Sequence, residues 1–359
     1  MSDPATARAI LDEARWAPSG DNTQPWRFEI VSGEHVVVHG FDTREHCVYD
    51  LDGHSSQLAI GAMLETLRIA ATTHGLRASV SRRGGSPEHR PVFDVRLTRN
   101  AGVQPDALAA CIRTRTVQRR PMRMRRLAAS EKTDLAAAVS PRYRVHWLEG
   151  IGNRWRAACL MWRNAKLRLT LPEAYEVHRG IIEWGARFSE DRIPEQALGV
   201  NPLSARLMRY AMQSWERVAF FNRWLGGTLA PRIELDLVPS LACGAHFALL
   251  AHTAASQLED YLAAGAATQR FWLTACTLGL QVQPEMTPLI FARYAATRRP
   301  FSRIEDSQPR AQAILEDLVD VLGSEAASRA VFMGRIGAGP PARARSLRRP
   351  LDSLLAREL

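Results

Sequence analysis

Lysine, paired cysteines and long apolar runs are all scarce in this chain of 359 residues. No run of about 18 apolar residues occurs, so the sequence predicts neither a membrane-spanning helix nor a membrane partner. The first residues, MSDPATARAILDEARW, are typical of a helix start and not of a signal peptide, which favours a cytoplasmic protein. The five cysteines are scattered without CxxC spacing, which favours reduced thiols over disulfides or a zinc site. No metal site is therefore predicted.

Positive charge is abundant, and arginine carries nearly all of it. The formal net charge is +10, and the lysines are Lys132 and Lys166 alone. The arginines are spread along the chain and no known nucleic-acid-binding motif occurs, so no nucleic-acid partner is predicted. Arginines do cluster in residues 113–126 and 342–349. A guanidinium group matches the oxygens of phosphate, so these clusters indicate a phosphate group of some kind as ligand.

Hydrophobic periodicity and turn residues predict an α+β fold. The pattern predicts strands over 27–31, 35–39, 77–82, 91–98, 143–149 and 330–337, and an extended run over 282–294. It predicts helices over 5–16, 54–75, 130–139, 241–264, 267–279 and 308–322, and a mostly helical stretch over 151–235. The second half of the chain repeats the order of elements in the first, which favours two related halves.

The stretch 17–28, APSGDNTQPWRF, lies between a predicted helix and a predicted strand. Its glycine, serine and asparagine can bring backbone N–H groups and short polar side chains against a planar heterocycle, while Trp26 and Phe28 anchor the loop. The stretch resembles the signature loop of the nitroreductase family of flavoproteins, roughly APSxxNxQPWxF. The residues in register are Ala17, Pro18, Ser19, Asn22, Gln24, Pro25, Trp26 and Phe28.

Two basic segments extend this resemblance. In the nitroreductase family a segment shaped like RxSxR binds the FMN phosphate, and RTRTVQRRP supplies Arg115, Arg119 and Arg120. The segment departs from the pattern because Val117 stands where the family has a hydroxyl. Near the C-terminus, Arg335-Ile336-Gly337 and the SLRRPL segment at 346–351 are similar to the family element whose basic residue also reaches the phosphate. The resemblance implies Arg348 for that role.

A third stretch, ATQRFWLTACTLGLQVQPEM, is similar to the family's helix and following strand that face the flavin. By that resemblance, a peptide N–H near Met286 points at flavin N5, where a donor stabilises the anionic reduced ring. The residues implied to bind the cofactor are Ser19, Asn22, Gln24, Arg115, Arg119, Met286 and Arg348. No catalytic side chain is implied, because the flavin supplies the chemistry.

The order of these motifs differs from that of a single-domain nitroreductase, because the loop comes before the arginine segment. This resembles the fused, pseudo-dimeric branch of the family, in which two halves of one chain copy a dimer. We therefore expect a first half over 1–110 with the loop and a second half over 111–359 with the arginines. One FMN site per chain and a helical insertion over 151–235 are expected. The insertion could be a lid, further core or a dimer interface, and a homodimer is left open.

The resemblance implies an FMN-dependent oxidoreductase acting on a small molecule. NADH, NADPH or the substrate itself would reduce the flavin, and a nitro compound, a quinone or another small organic molecule would accept the electrons. Two alternatives stay open on the sequence. One is a flavin-sequestering protein with an occluded, poorly reducible FMN, and the other is a flavin-fragmenting, oxygen-dependent enzyme.

Overall fold

The computed structural model describes residues 3–356, and its first part is a helix-flanked antiparallel sheet. The elements are α1 (Pro4–Ala14), β1 (Trp26–Ser32), β2 (His35–Gly40), α2 (His54–Thr72), β3 (Leu76–Arg82) and β4 (Val92–Arg99). Asp3 caps α1 and Pro4 opens it, where a proline costs no helical hydrogen bond. The strands follow the order β1-β2-β4-β3. Trp26, Phe28 and Phe93 lie fully buried in the core against α1 and α2.

The second part begins with α3 (Ala129–Ala137) and β5 (Tyr143–Leu148), and a long, mostly helical segment follows. Its elements are α4 (Gly150–Thr170), α5 (Pro172–Ile181), β6 (Ile182–Glu183), β7 (Phe188–Ser189), β8 (Ile193–Pro194), α6 (Pro202–Ala211), α7 (Trp215–Trp224), α8 (Leu229–Pro231) and α9 (Val238–Leu241). A π-helical turn over Arg232–Leu237 joins the last two. The three strands of this segment, β6, β7 and β8, are only two residues long, so helices dominate it.

The remaining elements complete a second four-stranded sheet. They are β9 (Ala245–Ala251), α10 (Leu258–Thr277), β10 (Leu280–Pro284), α11 (Thr287–Ala296), α12 (Ser307–Leu322), α13 (Ser324–Arg329), β11 (Ala330–Ala338), β12 (Arg345–Ser346) and α14 (Leu351–Leu354). The strand order is β5-β9-β11-β10, with every pair antiparallel. This order matches β1-β2-β4-β3, and in each sheet a long helix connects the second strand to the third.

The two long helices, α2 and α10, pack directly against each other. A Cβ on Gly61 would lie 2.1 Å from the carbonyl oxygen of Leu262, and one on Gly265 would lie 2.0 Å from that of Leu58. Each helix therefore presents a glycine to the backbone of the other. Only glycine permits this distance, so the crossing joins the two halves tightly.

The C-terminal segment returns to the first sheet. Leu351 and Leu354 belong to the same buried core as Trp26. The backbone N–H of Ala356 donates to the Phe28 carbonyl at 2.7 Å. These residues fall within the predicted second half, 111–359, yet they pack in the core of the first.

Most predicted elements lie where the pattern placed them, but in the second half two predictions are wrong and a predicted helix begins too late. The predicted helix over 241–264 contains strand β9 and only the start of α10. The predicted helix over 267–279 is the rest of α10, which runs unbroken through Gly265. The predicted extended run over 282–294 ends with β10 at Pro284 and continues as α11, because Pro288 lies in the first turn of a helix, where proline is tolerated.

Candidate functional site

The loop predicted to bind the cofactor is a strained turn between α1 and β1. Residues 20–22 form one turn of 3-10 helix, and Asp21, Asn22 and Gln24 have φ angles of 52°, 62° and 51°. Residues other than glycine rarely adopt such angles, and they are found where surrounding contacts impose them. The Ser19 hydroxyl accepts a hydrogen bond from the backbone N–H of Gln24 at 3.0 Å. The loop is therefore held in one defined conformation.

Two of the predicted arginines, distant in sequence, converge on the start of this loop. Arg115 Nη2 donates to the carbonyl oxygen of Trp16 at 2.9 Å, and Arg348 Nε donates to that of Ala17 at 2.9 Å. Both arginines are buried. The guanidinium of Arg115 also lies 4.6 Å from the centre of the Trp272 ring. The structure thus brings together one arginine from each of the two basic segments.

A third arginine, Arg345, completes what we call the arginine cluster (Arg115, Arg345 and Arg348). Its Nη2 donates to the carbonyl oxygen of Arg113 at 2.8 Å, and its guanidinium lies 5.3 Å from the centre of the Trp16 ring. Sequence reasoning grouped residues 342–349 as basic but did not single out this residue. The sequence feature that could have identified it is its position three residues before Arg348 in the same basic segment.

No carboxylate among residues 3–356 lies within ion-pair distance of the arginine cluster. Burial, together with Arg345, lowers the pKa of Arg115 to about 9. Burial, together with Arg115, Arg345 and Arg15, holds the pKa of Arg348 well below its usual range. Arg115 Nε and Arg345 Nε are buried donors without a hydrogen-bond partner. Buried, mutually repelling cations with unused donors are the features expected of a binding site for an anion such as phosphate.

The remaining predicted arginine, Arg119, does not join the cluster. Its Nη1 donates to the Ala197 carbonyl at 3.2 Å, and the charges that act on it are those of Asp21 and Arg335. Burial lowers the pKa of Arg119 to about 10, while Asp21 acts in the opposite direction. Burial raises the pKa of Asp21 to about 6 despite Arg119 and Arg168. Arg115 and Arg119 therefore lie near different parts of the loop, one near Trp16 and the other near Asp21.

Met286 lies at the start of α11, directly after Glu285 in a buried ionic network. His246 Nδ1 lies 2.7 Å from Glu285 Oε2, and Arg335 Nη1 lies 3.3 Å from Glu285 Oε1. Burial alone would raise the pKa of Glu285, but His246 and Arg335 hold it below its usual value. Arg335 also donates to the carbonyl oxygen of Arg119 at 2.7 Å. The network thus connects the Met286 segment to the Arg119 segment. His246 lies on strand β9, although the sequence predicted a helix over 241–264.

The loop is tied to the insertion through a segment that we call the strap, residues 187–192. Asn22 Nδ2 donates to the carbonyl oxygens of Glu190 and Arg192, at 3.1 and 3.3 Å. Gln24 Nε2 donates to the Glu190 carbonyl at 2.9 Å, and Gln24 Oε1 accepts from the Arg349 backbone N–H. Asn22 and Gln24 therefore hold the loop against the strap and the C-terminal segment. Among the side-chain polar atoms of these two residues, Asn22 Oδ1 is the one that is buried without a hydrogen-bond partner.

The strap also pairs with the C-terminal segment that carries two of the clustered arginines. Strand β7 pairs with β12 in parallel, and the Leu347 backbone N–H donates to the Ser189 carbonyl at 2.7 Å. Arg349 Nη2 lies 3.3 Å from a carboxylate oxygen of Asp191. The insertion thus reaches across to the arginine cluster and the loop.

Residues 3–356 contain neither a metal centre of the usual side chains nor a membrane-spanning helix. No group of three or more histidine, cysteine or acidic side chains is arranged to hold a metal ion. In that same range, every helix is too short or too polar to cross a membrane.

Comparison with known proteins finds relatives that are named only as uncharacterized proteins. No family model matches it. It is 26% identical over 296 residues to an uncharacterized protein of Mycobacterium tuberculosis, an alignment that covers 80% of this chain and 40% of that protein. The chain thus spans less than half the length of that relative. Two further uncharacterized proteins of Mycobacterium tuberculosis are each 42% identical to it over 77 residues, 21% of this chain and 22% of theirs.

Among solved structures, a nitroreductase-like family protein from Bacillus cereus is similar to the chain. The sequence identity is 14%, the TM-score is 0.34, and the alignment covers 70% of this chain and 96% of that one. A TM-score below 0.5 does not establish a shared fold.

Proposed function

We propose that this protein is an FMN-dependent oxidoreductase of the nitroreductase type. The observation that carries the proposal is the arginine cluster, in which Arg115 and Arg348 meet at the start of the APSGDNTQPW loop. Two of its members, Arg115 and Arg348, are buried; the cluster lacks a carboxylate partner among residues 3–356 and keeps two unused guanidinium donors. A phosphate dianion would supply the missing negative charge and the missing acceptors.

Bound FMN would supply two-electron transfer between a reductant and a small organic acceptor. The protein's own groups would hold it in place. The arginine cluster would bind the phosphate, and the unpartnered Asn22 Oδ1 offers an acceptor to a ring N–H or a ribityl hydroxyl. Arg119 belongs to the Asp21 side of the loop, so we assign it to the ring or the substrate and no longer to the phosphate. Ser19 and Gln24 would act by fixing the loop.

The matching strand orders of the two sheets support a fused pseudo-dimer. In this proposal the first half contributes the loop and the second half contributes the arginines, so one chain holds one site. NADH or NADPH is the proposed reductant, and a nitro compound or a quinone is the proposed acceptor class.

A visible spectrum and an anaerobic titration test this function. We expect the purified protein to be yellow, with about one FMN per chain, as follows from one loop and one arginine cluster. NADH or NADPH added without oxygen should bleach the flavin absorbance, and a nitroaromatic compound or a quinone should restore it. A protein that binds no FMN after reconstitution would contradict the proposal.

The strap favours a second candidate, a flavin-sequestering protein. The strap's carbonyls bind Asn22 and Gln24, and its Asp191 pairs with Arg349, so the insertion lies over the residues proposed to hold FMN. A cofactor beneath the strap would be shielded from NADH and NADPH. This candidate predicts bound FMN that dithionite bleaches and that neither nicotinamide cofactor reduces.

A further inference from the structure

The insertion carries most of the large apolar side chains that the chain exposes. Nine of the fourteen such residues in the described part of the chain lie between 203 and 238. Leu203 is 75% exposed and Trp224 is 66% exposed, values far from those of a packed core. Patches of this kind mark interaction sites more often than ordinary surface.

These side chains have a regular placement on two helices. Leu203, Leu207 and Tyr210 follow the spacing that puts residues on one side of α6, and Phe220 and Trp224 do the same on α7. In these two helices Ala205 is the one buried residue. We call the five exposed residues, together with Leu225, the α6–α7 surface.

The inner sides of both helices are anchored to the rest of the insertion. Ser204 Oγ donates to Glu234 at 2.6 Å, which ties α6 to the π-helical turn. Asn222 Nδ2 donates to the Leu169 carbonyl at 2.9 Å. The Tyr175 hydroxyl donates to the Met212 carbonyl at 3.3 Å. The helices are therefore fixed with their apolar residues outward.

The charge around this surface decides which occupant it fits. Residues 202–225 contain four arginines and one acid, Glu216. Arg206, Arg209 and Arg223 are exposed, and the Arg223 guanidinium lies 5.1 Å from the centre of the Trp224 ring. A second copy would bring its own excess of arginine against this one, which opposes self-association. Aromatic and aliphatic side chains flanked by arginine are the composition of helices that lie in the interface of an anionic membrane.

We propose that the α6–α7 surface docks the protein onto an anionic lipid surface. The apolar side chains enter the headgroup region, and Arg206, Arg209 and Arg223 lie against the lipid phosphates. Docking of this kind is peripheral and needs no spanning helix. It revises the expectation from sequence that the protein has no membrane partner, and it does not depend on the proposed function.

Vesicle co-sedimentation of the full chain tests the proposal. We expect binding to phosphatidylcholine vesicles with about 30% phosphatidylglycerol, much weaker binding to pure phosphatidylcholine, and loss of binding near 1 M salt, where the screening length is about 3 Å. Arg206→Ala with Arg209→Ala should reduce the partition constant about fivefold per arginine. Leu203→Ser with Leu207→Ser should reduce it about tenfold or more.

A matched pair on the first sheet controls for net charge. Arg96→Ala with Arg99→Ala removes two exposed arginines from β4 and should leave binding within about twofold of the wild type. Circular dichroism checks that each variant is folded. The proposal would be overturned if the wild type does not bind anionic vesicles. It would also be overturned if the double arginine variants of α6 and β4 lose vesicle binding to the same extent. A dimer that dissociates on the leucine substitutions would overturn it too, because the surface would then join two copies.

Discussion

The two sheets follow the same strand order but place similar ionic networks in opposite environments. On the first sheet, His35 and Arg83 each approach Asp94 Oδ1 at 2.8 Å, and all three side chains are partly exposed. On the second sheet, His246, Glu285 and Arg335 form a network whose side chains are at most 2% exposed. The difference follows from the connections. A two-residue turn joins β1 to β2, whereas residues 149–244 separate β5 from β9. Part of this long segment packs against β9, and the Ser240 carbonyl lies 2.9 Å from His246 Nε2.

The comparison separates charges that need no ligand from charges that do. Exposed charges on the first sheet are screened by water and contribute little. Buried charges on the second sheet must be matched with one another or with a ligand. The His246–Glu285–Arg335 network contains a carboxylate counter-charge, and the arginine cluster has no carboxylate partner among residues 3–356. That contrast is why we assign the ligand to the cluster.

The largest expected effect comes from the crossing that joins the halves. Gly265→Val places a side chain where the Leu58 carbonyl already lies, so we expect it to lower the free energy of unfolding by more than about 4 kcal/mol, or to prevent folding. Gly61→Val should destabilise the fold to a similar extent, because a Cβ at Gly61 would lie equally close to the Leu262 carbonyl. Urea denaturation measures both. Gly152→Ala is the control, since nothing lies within 4 Å of its Cβ position, and it should be neutral or slightly stabilising.

The next largest effect is expected from removing the carboxylate of the buried network, compared with removing that of the exposed network. Glu285→Gln leaves His246 and Arg335 without their buried counter-charge and should cost about 3–5 kcal/mol of unfolding free energy. Asp94→Asn removes the corresponding carboxylate from the exposed network and should cost less than about 1 kcal/mol. Chemical denaturation of the two variants gives the comparison directly. Losses of similar size would mean that burial does not distinguish the sheets as we describe.

A smaller effect is expected on FMN binding, when Arg348 of the arginine cluster is compared with the exposed Arg343 nearby in the sequence. Arg348→Ala removes a buried guanidinium and should weaken FMN binding by about 1.5–3 kcal/mol, roughly 10- to 150-fold in Kd. Arg343→Ala removes an exposed guanidinium from the same segment and should change Kd little. Fluorescence titration of FMN compares the two variants. Equal dissociation constants would remove the C-terminal segment from the site.

The sequence predicted regular elements well where one face of the element is exposed. Strands β3 and β4 alternate buried and more exposed residues, and their predicted bounds are close to those observed. Strand β9 is buried on both faces, so its continuous apolar run could not be distinguished from that of a buried helix. Gly265 looked like a helix end, although its role is to let α2 approach α10. Such contacts between distant segments leave no local pattern.

The same limit applies to the candidate site. A resemblance carried by short motifs pointed to Arg115 and Arg348, and the structure brings them together. It could not show that Arg119 lies apart from them, because the direction of a side chain four residues along an irregular segment depends on tertiary contacts. The strap was equally hidden, since it contributes backbone carbonyls, which any residue carries, to these contacts.

The central claim is that one polypeptide builds one whole site, with the loop from its first half and the arginines from its second. Its most direct test is the FMN content of two differently tagged variants, Asn22→Asp and Arg115→Glu, that are co-expressed and purified together. If each chain forms its own site, every chain keeps its lesion and the mixture should hold no more FMN than either variant alone. If the site forms between chains, half of the dimers are mixed and one of their two sites is intact. Recovery to about a quarter of the wild-type FMN content would therefore contradict the claim.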